Sequence, residues 1–248
     1  MEENRREEEY GSDIKIRSPL AVKLENFWYH YKWHSIAALF LVLCVIICSL
    51  QMCSKVSVDF NVMYAGGVEI SRKSVDGDTP AYVRVVSVFQ KYIEDVDGDG
   101  EKNVAFSTYF LPSQDEIKEI ESTPGKEVNY ALMSSDSEAL SARFGLGDYY
   151  LCFVSPHVYE QYRGSDELSV FAPIEQYVPA EGSSVELYSD YAVKLSSTPF
   201  YRNNPAIREI MPADTLIAIQ IKRVIGVGND NDEKYERAEQ VLRLMLSE

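Results

Sequence analysis

The sequence predicts an α/β fold: one N-terminal transmembrane helix, then a single domain with a mainly parallel or mixed sheet flanked by helices. Three observations predict it. Residues 35–54 carry no charge and are mostly Ile, Leu, Val, Phe, Ala and Cys. Beyond them, short apolar or alternating runs take turns with runs of helical periodicity, the pattern of a sheet with crossover helices. Only 4 of the 248 residues are Cys, so the fold has to rely on an apolar core rather than a disulfide framework. The expected organisation is a tail with an aromatic membrane-entry segment (1–34), a transmembrane helix (35–54) and an α/β domain (55–248).

About 20 uncharged residues suffice to cross the hydrocarbon layer as a helix. A buried core helix would keep a polar stripe over five turns, and this stretch has none. Lys15, Arg17, Lys23 and Lys32 precede the span, and only Lys55 follows it closely. Positive charge resists translocation, so the expected topology is plasma membrane, single pass, N-terminus cytoplasmic and C-terminal domain outside. The 34 residues ahead of the apolar run make too long an n-region for a cleaved signal peptide. An uncleaved signal anchor is the expectation, with the lipid bilayer as its partner.

Residues 1–19 are polar and read as a disordered tail. Phe27-Trp28-Tyr29-His30-Tyr31-Lys32-Trp33-His34 is an interfacial belt, apolar rings with wet polar tips. After the span, Val56–Tyr64 alternates as a strand that Ala65-Gly66-Gly67 ends. Asp76-Gly77-Asp78 reads as a turn. Thr79 and Pro80 open a helix carrying Tyr82, Val85, Val86, Phe89, Tyr92 and Ile93.

Asp95-Val96-Asp97-Gly98-Asp99-Gly100-Glu101-Lys102-Asn103 follows. Carboxylates at positions one, three and five with Gly at six match the first half of a calcium loop. Asp95, Asp97, Asp99 and Asn103 are the candidate ligands, and calcium is the one cofactor the sequence suggests. Position twelve is Phe106 rather than an acid, so a further ligand has to come from elsewhere. The competing reading is an Asp/Gly-rich turn.

Val104–Leu111 reads as a second strand, and Ser113 with Glu116 as a capping box for a short helix. Residues 127–144 read as a helix stopped by Gly145. Asp148–Ser155 is the clearest buried strand, and Pro156 opens a short helix. Residues 170–174 read as extended, 175–187 as loop and 191–195 as a strand. Residues 198–205 read as an irregular loop, 215–221 as a strand, and the chain from about Asn231 as a helix capped by Asp230 and Glu233.

The run Gly147-Asp148-Tyr149-Tyr150-Leu151-Cys152-Phe153-Val154-Ser155-Pro156-His157-Val158-Tyr159 resembles a stretch of extracellular solute-binding proteins. There a Gly-Asp pair precedes a strand that leads into a short helix under the ligand cleft. Phe171-Ala172-Pro173-Ile174 and Tyr191-Ala192-Val193-Lys194-Leu195 are similar to strands of the same lobe. The whole layout resembles uncharacterised single-pass membrane-anchored proteins of clostridia-like Gram-positive bacteria. The shared features are the Trp28–His34 entry, the Asp59-Phe60-Asn61-Val62-Met63-Tyr64 strand and the Asp97-Gly98-Asp99-Gly100 turn. The first resemblance implies ligand binding; the second implies a topology and no activity.

Net charge is −15 overall, and residues 55–248 hold 18 basic against 32 acidic residues, a net of −14. Such a domain repels phosphate backbones, so no nucleic-acid partner is expected. No Gly-x-Ser-x-Gly elbow is present, His157 is the domain's one histidine and Cys152 sits in an apolar run, so no enzyme is expected. The expected function is a membrane-tethered extracytoplasmic binding or interaction domain, solute-binding-protein-like, for an unknown extracellular ligand or membrane-protein partner. Tyr188, Tyr191, Phe200 and Tyr201 are candidate loop aromatics for a ligand. The alternatives are an accessory subunit of an envelope or transport assembly and, less favoured, an extracytoplasmic hydrolase.

Overall fold

A computed structural model describes residues 19–53, 58–71, 73, 78–147, 150–164, 169–179, 184–222 and 230–247. Residues 1–18 of the expected tail, 56 and 57 of the expected first strand, 76 and 77 of the expected turn, Asp148 and Tyr149, and the Asp230 side chain proposed as a cap lie outside them. The chain divides into two compact units, Met1–Val56 and Ser57–Glu248.

In the first unit the described residues form one helix, α1 (Pro19–Cys53). Its segment Phe27–Ser49 has a mean hydropathy of 2.0 and none of it is buried. At 1.5 Å per residue this segment is about 35 Å long, enough for a hydrocarbon layer of about 30 Å. Its apolar side chains, Leu39, Phe40, Leu41, Val42, Val45 and Ile46 among them, are exposed around the whole circumference. A helix apolar all round suits lipid rather than water. Ser49 keeps its hydroxyl satisfied inside the helix by donating to the Val45 carbonyl at 2.8 Å. This is a single-pass membrane anchor.

The second unit is built on a six-stranded mixed sheet ordered β2-β1-β3-β6-β5-β4. The strands are β1 (Phe60–Gly66), β2 (Val104–Phe110), β3 (Leu151–Val154), β4 (Leu187–Ser189), β5 (Ala192–Lys194) and β6 (Leu216–Ile219). β1 pairs in parallel with β2, Phe60 facing Val104, and with β3, Val62 facing Leu151. β6 runs antiparallel to both β3 and β5, and β4 antiparallel to β5. β3 and β6 are buried along their whole length. That is why they read as continuous apolar runs rather than alternating ones.

Helices cover both faces. One face packs α2 (Ala81–Phe89), α6 (Pro199–Asn203), α7 (Pro205–Ile210) and α8 (Asp230–Ser247) on Val62, Tyr64, Phe106, Leu151 and Phe153. The other packs α4 (Tyr130–Leu146) and α5 (Pro156–Tyr162) on Met63, Ala65, Cys152 and Val154. The odd and even residues of β1 divide between the two cores, as a pleated strand requires.

Local chemistry sets the ends. α3 (Gln114–Ser122) opens on the expected capping box: Ser113 Oγ accepts from the Glu116 N–H at 3.3 Å, and the Glu116 carboxylate accepts from the Ser113 N–H at 2.6 Å. α4 runs past Gly145 and stops at Gly147, whose φ of 74° is left-handed and whose N–H closes on the Arg143 carbonyl at 2.9 Å. α2 starts at Ala81 with Pro80 in the cap position, one residue later than expected. The stretch read as an irregular loop, residues 198–205, is instead helical: the Thr198 hydroxyl caps α6 by accepting from the Tyr201 N–H at 3.2 Å.

Phe89 sits at the hub of the first core, its ring 5.9 Å from Phe106, 5.4 Å from Phe153 and 5.7 Å from Phe200. Phe89→Ala should cost about 3–5 kcal/mol. In thermal denaturation the melting temperature should fall by about 2–4 °C for each of them.

Candidate metal centre

Asp59 stands one residue ahead of β1 and is only 4 % exposed. A carboxylate in that position needs polar partners, because an uncompensated buried charge is costly. Its Oδ1 accepts from the Val96 N–H at 3.1 Å and its Oδ2 from the Asn103 N–H at 2.7 Å. Hydrogen bonds to an ionised acceptor are the strong kind. The Asp59 N–H itself donates to the Asn103 carbonyl at 2.9 Å, and its carbonyl accepts from Arg237 of α8 at 2.8 Å. One residue thus clips both ends of the 95–103 loop to the head of the sheet and ties α8 to the same point.

The loop is wound on its own carboxylates. Asp95 accepts from the N–H groups of Gly98 and Gly100, both at 2.8 Å. Asp97 accepts from the Asp99 N–H at 3.1 Å, and Asp99 from the Glu101 N–H at 2.7 Å. Gly98 and Gly100 have φ of 73° and 87°. A Cβ at either would meet nothing within 4 Å. Glycine is required there by backbone conformation, not by space.

The result is a convergence of acids. Carboxylate oxygens of Asp59, Asp95 and Asp97 all lie within 4.8 Å of one another. Three hard anionic oxygens are suited to a hard divalent cation such as calcium or magnesium; a site for zinc or copper would offer nitrogen or sulfur. Asp95 and Asp97, expected from the loop pattern, are both in this set. Asp99 and Asn103 are not among its three carboxylates. Asn103 instead contributes its backbone to Asp59, and its side-chain nitrogen is buried without a hydrogen-bond partner among the described residues. Phe106, at position twelve of the pattern, is in the core and cannot ligate. Asp59 brings to the cluster an acid from outside the loop. Its one signal in the sequence is that it is the sole charge in the strand-like run 56–64.

The other candidate residues fall elsewhere. Phe200 is fully buried against Phe89, Tyr92 and Phe153, a core residue rather than a loop aromatic. Tyr188 is partly exposed and packs edge-on to Tyr159. Tyr191 packs against the second core and Tyr201 against the first. His157 lies at the start of α5 with its Nδ1 3.0 Å from the Ser155 hydroxyl. Cys152 is fully buried in β3, and burial raises its thiol well above the ordinary range, which disfavours the reactive thiolate.

Cys152 should therefore resist an aqueous thiol reagent in the folded chain and titrate as one additional thiol after unfolding in guanidinium chloride. The measurement needs Cys44, Cys48 and Cys53 replaced by Ser. Rapid labelling without denaturant would contradict the burial.

Compared with known proteins, the chain matches no family model, no curated protein and no solved structure.

Proposed function

We propose that the chain is a single-pass membrane protein whose α/β domain lies outside the cytoplasm and serves as a binding or interaction module. We propose further that calcium holds the loop at the head of its sheet. The observation that carries this reading is the convergence of Asp59, Asp95 and Asp97 within 4.8 Å. The outward orientation is supported by Lys15, Arg17, Lys23 and Lys32 ahead of the span, against Lys55 alone close behind it. The two halves support each other: extracellular calcium is millimolar, and sites of extracellular modules work at dissociation constants of about 0.1–1 mM. The cation's role on this reading is structural. It would neutralise three like charges and hold the Asp59 clip that joins β1, the loop and α8. The resemblance of the 147–159 stretch to solute-binding proteins supports the binding reading, since β3 passes straight into α5 through Ser155.

Thermal unfolding of the full chain in detergent tests the cation. A site of about 0.1 mM affinity in about 10 mM calcium should stabilise by about 2.7 kcal/mol. That should raise the melting temperature by about 5–10 °C over the chain in EDTA. Asp95→Asn and Asp97→Asn should each abolish the response. Equal melting temperatures in calcium and EDTA would sink this part of the reading. Alkaline phosphatase fused to the C-terminus should be active, since it folds only outside the cytoplasm; an inactive fusion at normal expression would reverse the orientation.

A further inference from the structure

We propose that the crevice between α4 and α5, at the carboxyl end of β2, is the ligand site of this domain, and that it takes a small, uncharged, polyhydroxylated molecule of the sugar class. The inference rests on the binding-module reading and names the place and the chemistry.

Topology selects the place. The connection from β1 goes to α2 on one face of the sheet, whereas the neighbouring parallel strand β2 is followed, through α3, by α4 on the other. Adjacent parallel strands whose connections leave to opposite faces open a crevice at their carboxyl ends, where open α/β sheets bind ligands. The cavity found there has a volume of about 700 Å³, within the range of small-molecule sites. It is larger than the cavity of about 440 Å³ between α8 and residues 92–96.

The lining selects the chemistry. Leu111, Pro112 and Met133 supply an apolar surface, and Gln114, Ser134, Ser137, His157 and Gln161 supply the polar groups. An imidazole adds a polar nitrogen, and hydroxyls and amides each both donate and accept. A ligand hydroxyl does the same, so the two sets are complementary without any ion pair. Among the described residues, Glu138 is the one carboxylate in the lining, and no Lys or Arg lines it. In a domain of net charge −14, this crevice is poorer in charged side chains than the cavity beside α8, which Glu94, Asp95, Glu233, Glu236 and Arg237 line. Among the described residues, the side chains of Gln114, Ser134, Ser137 and Gln161 make no hydrogen bond within the domain, so their capacity is unused. His157 is held by Ser155 through Nδ1 at 3.0 Å, which orients the ring and leaves Nε2 for a ligand.

Saturation-transfer NMR on the full chain in lipid nanodiscs tests the assignment, with glucose and maltose as neutral probes, citrate as an anion and spermidine as a cation. Transfer to maltose or glucose is expected, and it should fall at least tenfold in both His157→Ala and Gln161→Ala. Gln161 is exposed, so its variant should fold even if the His157 variant does not. Asp95→Asn, remote from the crevice, should keep the transfer. No transfer to either sugar, or transfer that both variants retain, overturns the proposal. Transfer to citrate or spermidine that depends on Gln161 overturns the ligand class but leaves the binding module standing. A calcium-dependent melting temperature with no sugar transfer leaves the tethered, cation-held reading intact and removes only this site.

Discussion

The domain depends on one carboxylate. Asp59 receives the N–H groups of Val96 and Asn103 on its two oxygens, and its own backbone pairs with Asn103 and Arg237. These contacts bring a segment some forty positions downstream back to the head of β1. From that point β2 runs in parallel register from Phe60 opposite Val104 to Gly66 opposite Phe110. Parallel pairs cannot be closed by a tight turn; they need a crossover, and its return point has to be held. Here the holder is a buried acid whose bonds enforce the geometry of the loop behind it.

The same residue links the two kinds of order in the domain. The parallel half, β2-β1-β3, has helices packed on both faces and carries the long crossovers. The antiparallel half, β6-β5-β4, is made of short strands, β4 joined to β5 by a tight turn and β5 to β6 through α6 and α7. Arg237 brings α8 to Asp59 while Val241, Leu242 and Met245 bury the same helix against the first core. Charge thus accumulates at the amino ends of the parallel strands, where Asp59, Asp95 and Asp97 gather. The opposite, carboxyl end is lined by serines, glutamines and a histidine with one Glu. The two ends of one sheet differ in chemistry, and that polarity separates an acidic cluster from a crevice poor in charge.

Elements whose signal is local were legible in the sequence. The apolar span, the Ser113–Glu116 box, the buried run at β3 and the amphipathic C-terminal helix each depend on neighbours within a turn or two. What was hidden depended on tertiary contact. α6 has only five residues, and it is stabilised by a Thr198 cap and a fully buried Phe200; neither effect shows in periodicity, so Phe200 passed for a loop aromatic. Gly145 and Gly147 are equally plausible stops by composition, and only backbone closure onto Arg143 chooses the second. The antiparallel direction of β6 follows from where α6 and α7 return the chain, which no run of residues encodes. In the metal cluster, Asp95 and Asp97 were legible from loop spacing. Asp59 was not, because its partners are 37 and 44 positions away.

The central claim is that Asp59, not Asp99, completes the cation set with Asp95 and Asp97. Isothermal titration of calcium into the full chain in detergent, comparing Asp59→Asn with Asp99→Asn, tests it most directly, with circular dichroism confirming that each variant is folded. The account predicts that Asp59→Asn loses the binding heat while Asp99→Asn keeps an affinity close to the unaltered chain. Loss of binding in Asp99→Asn with binding retained in Asp59→Asn would contradict it.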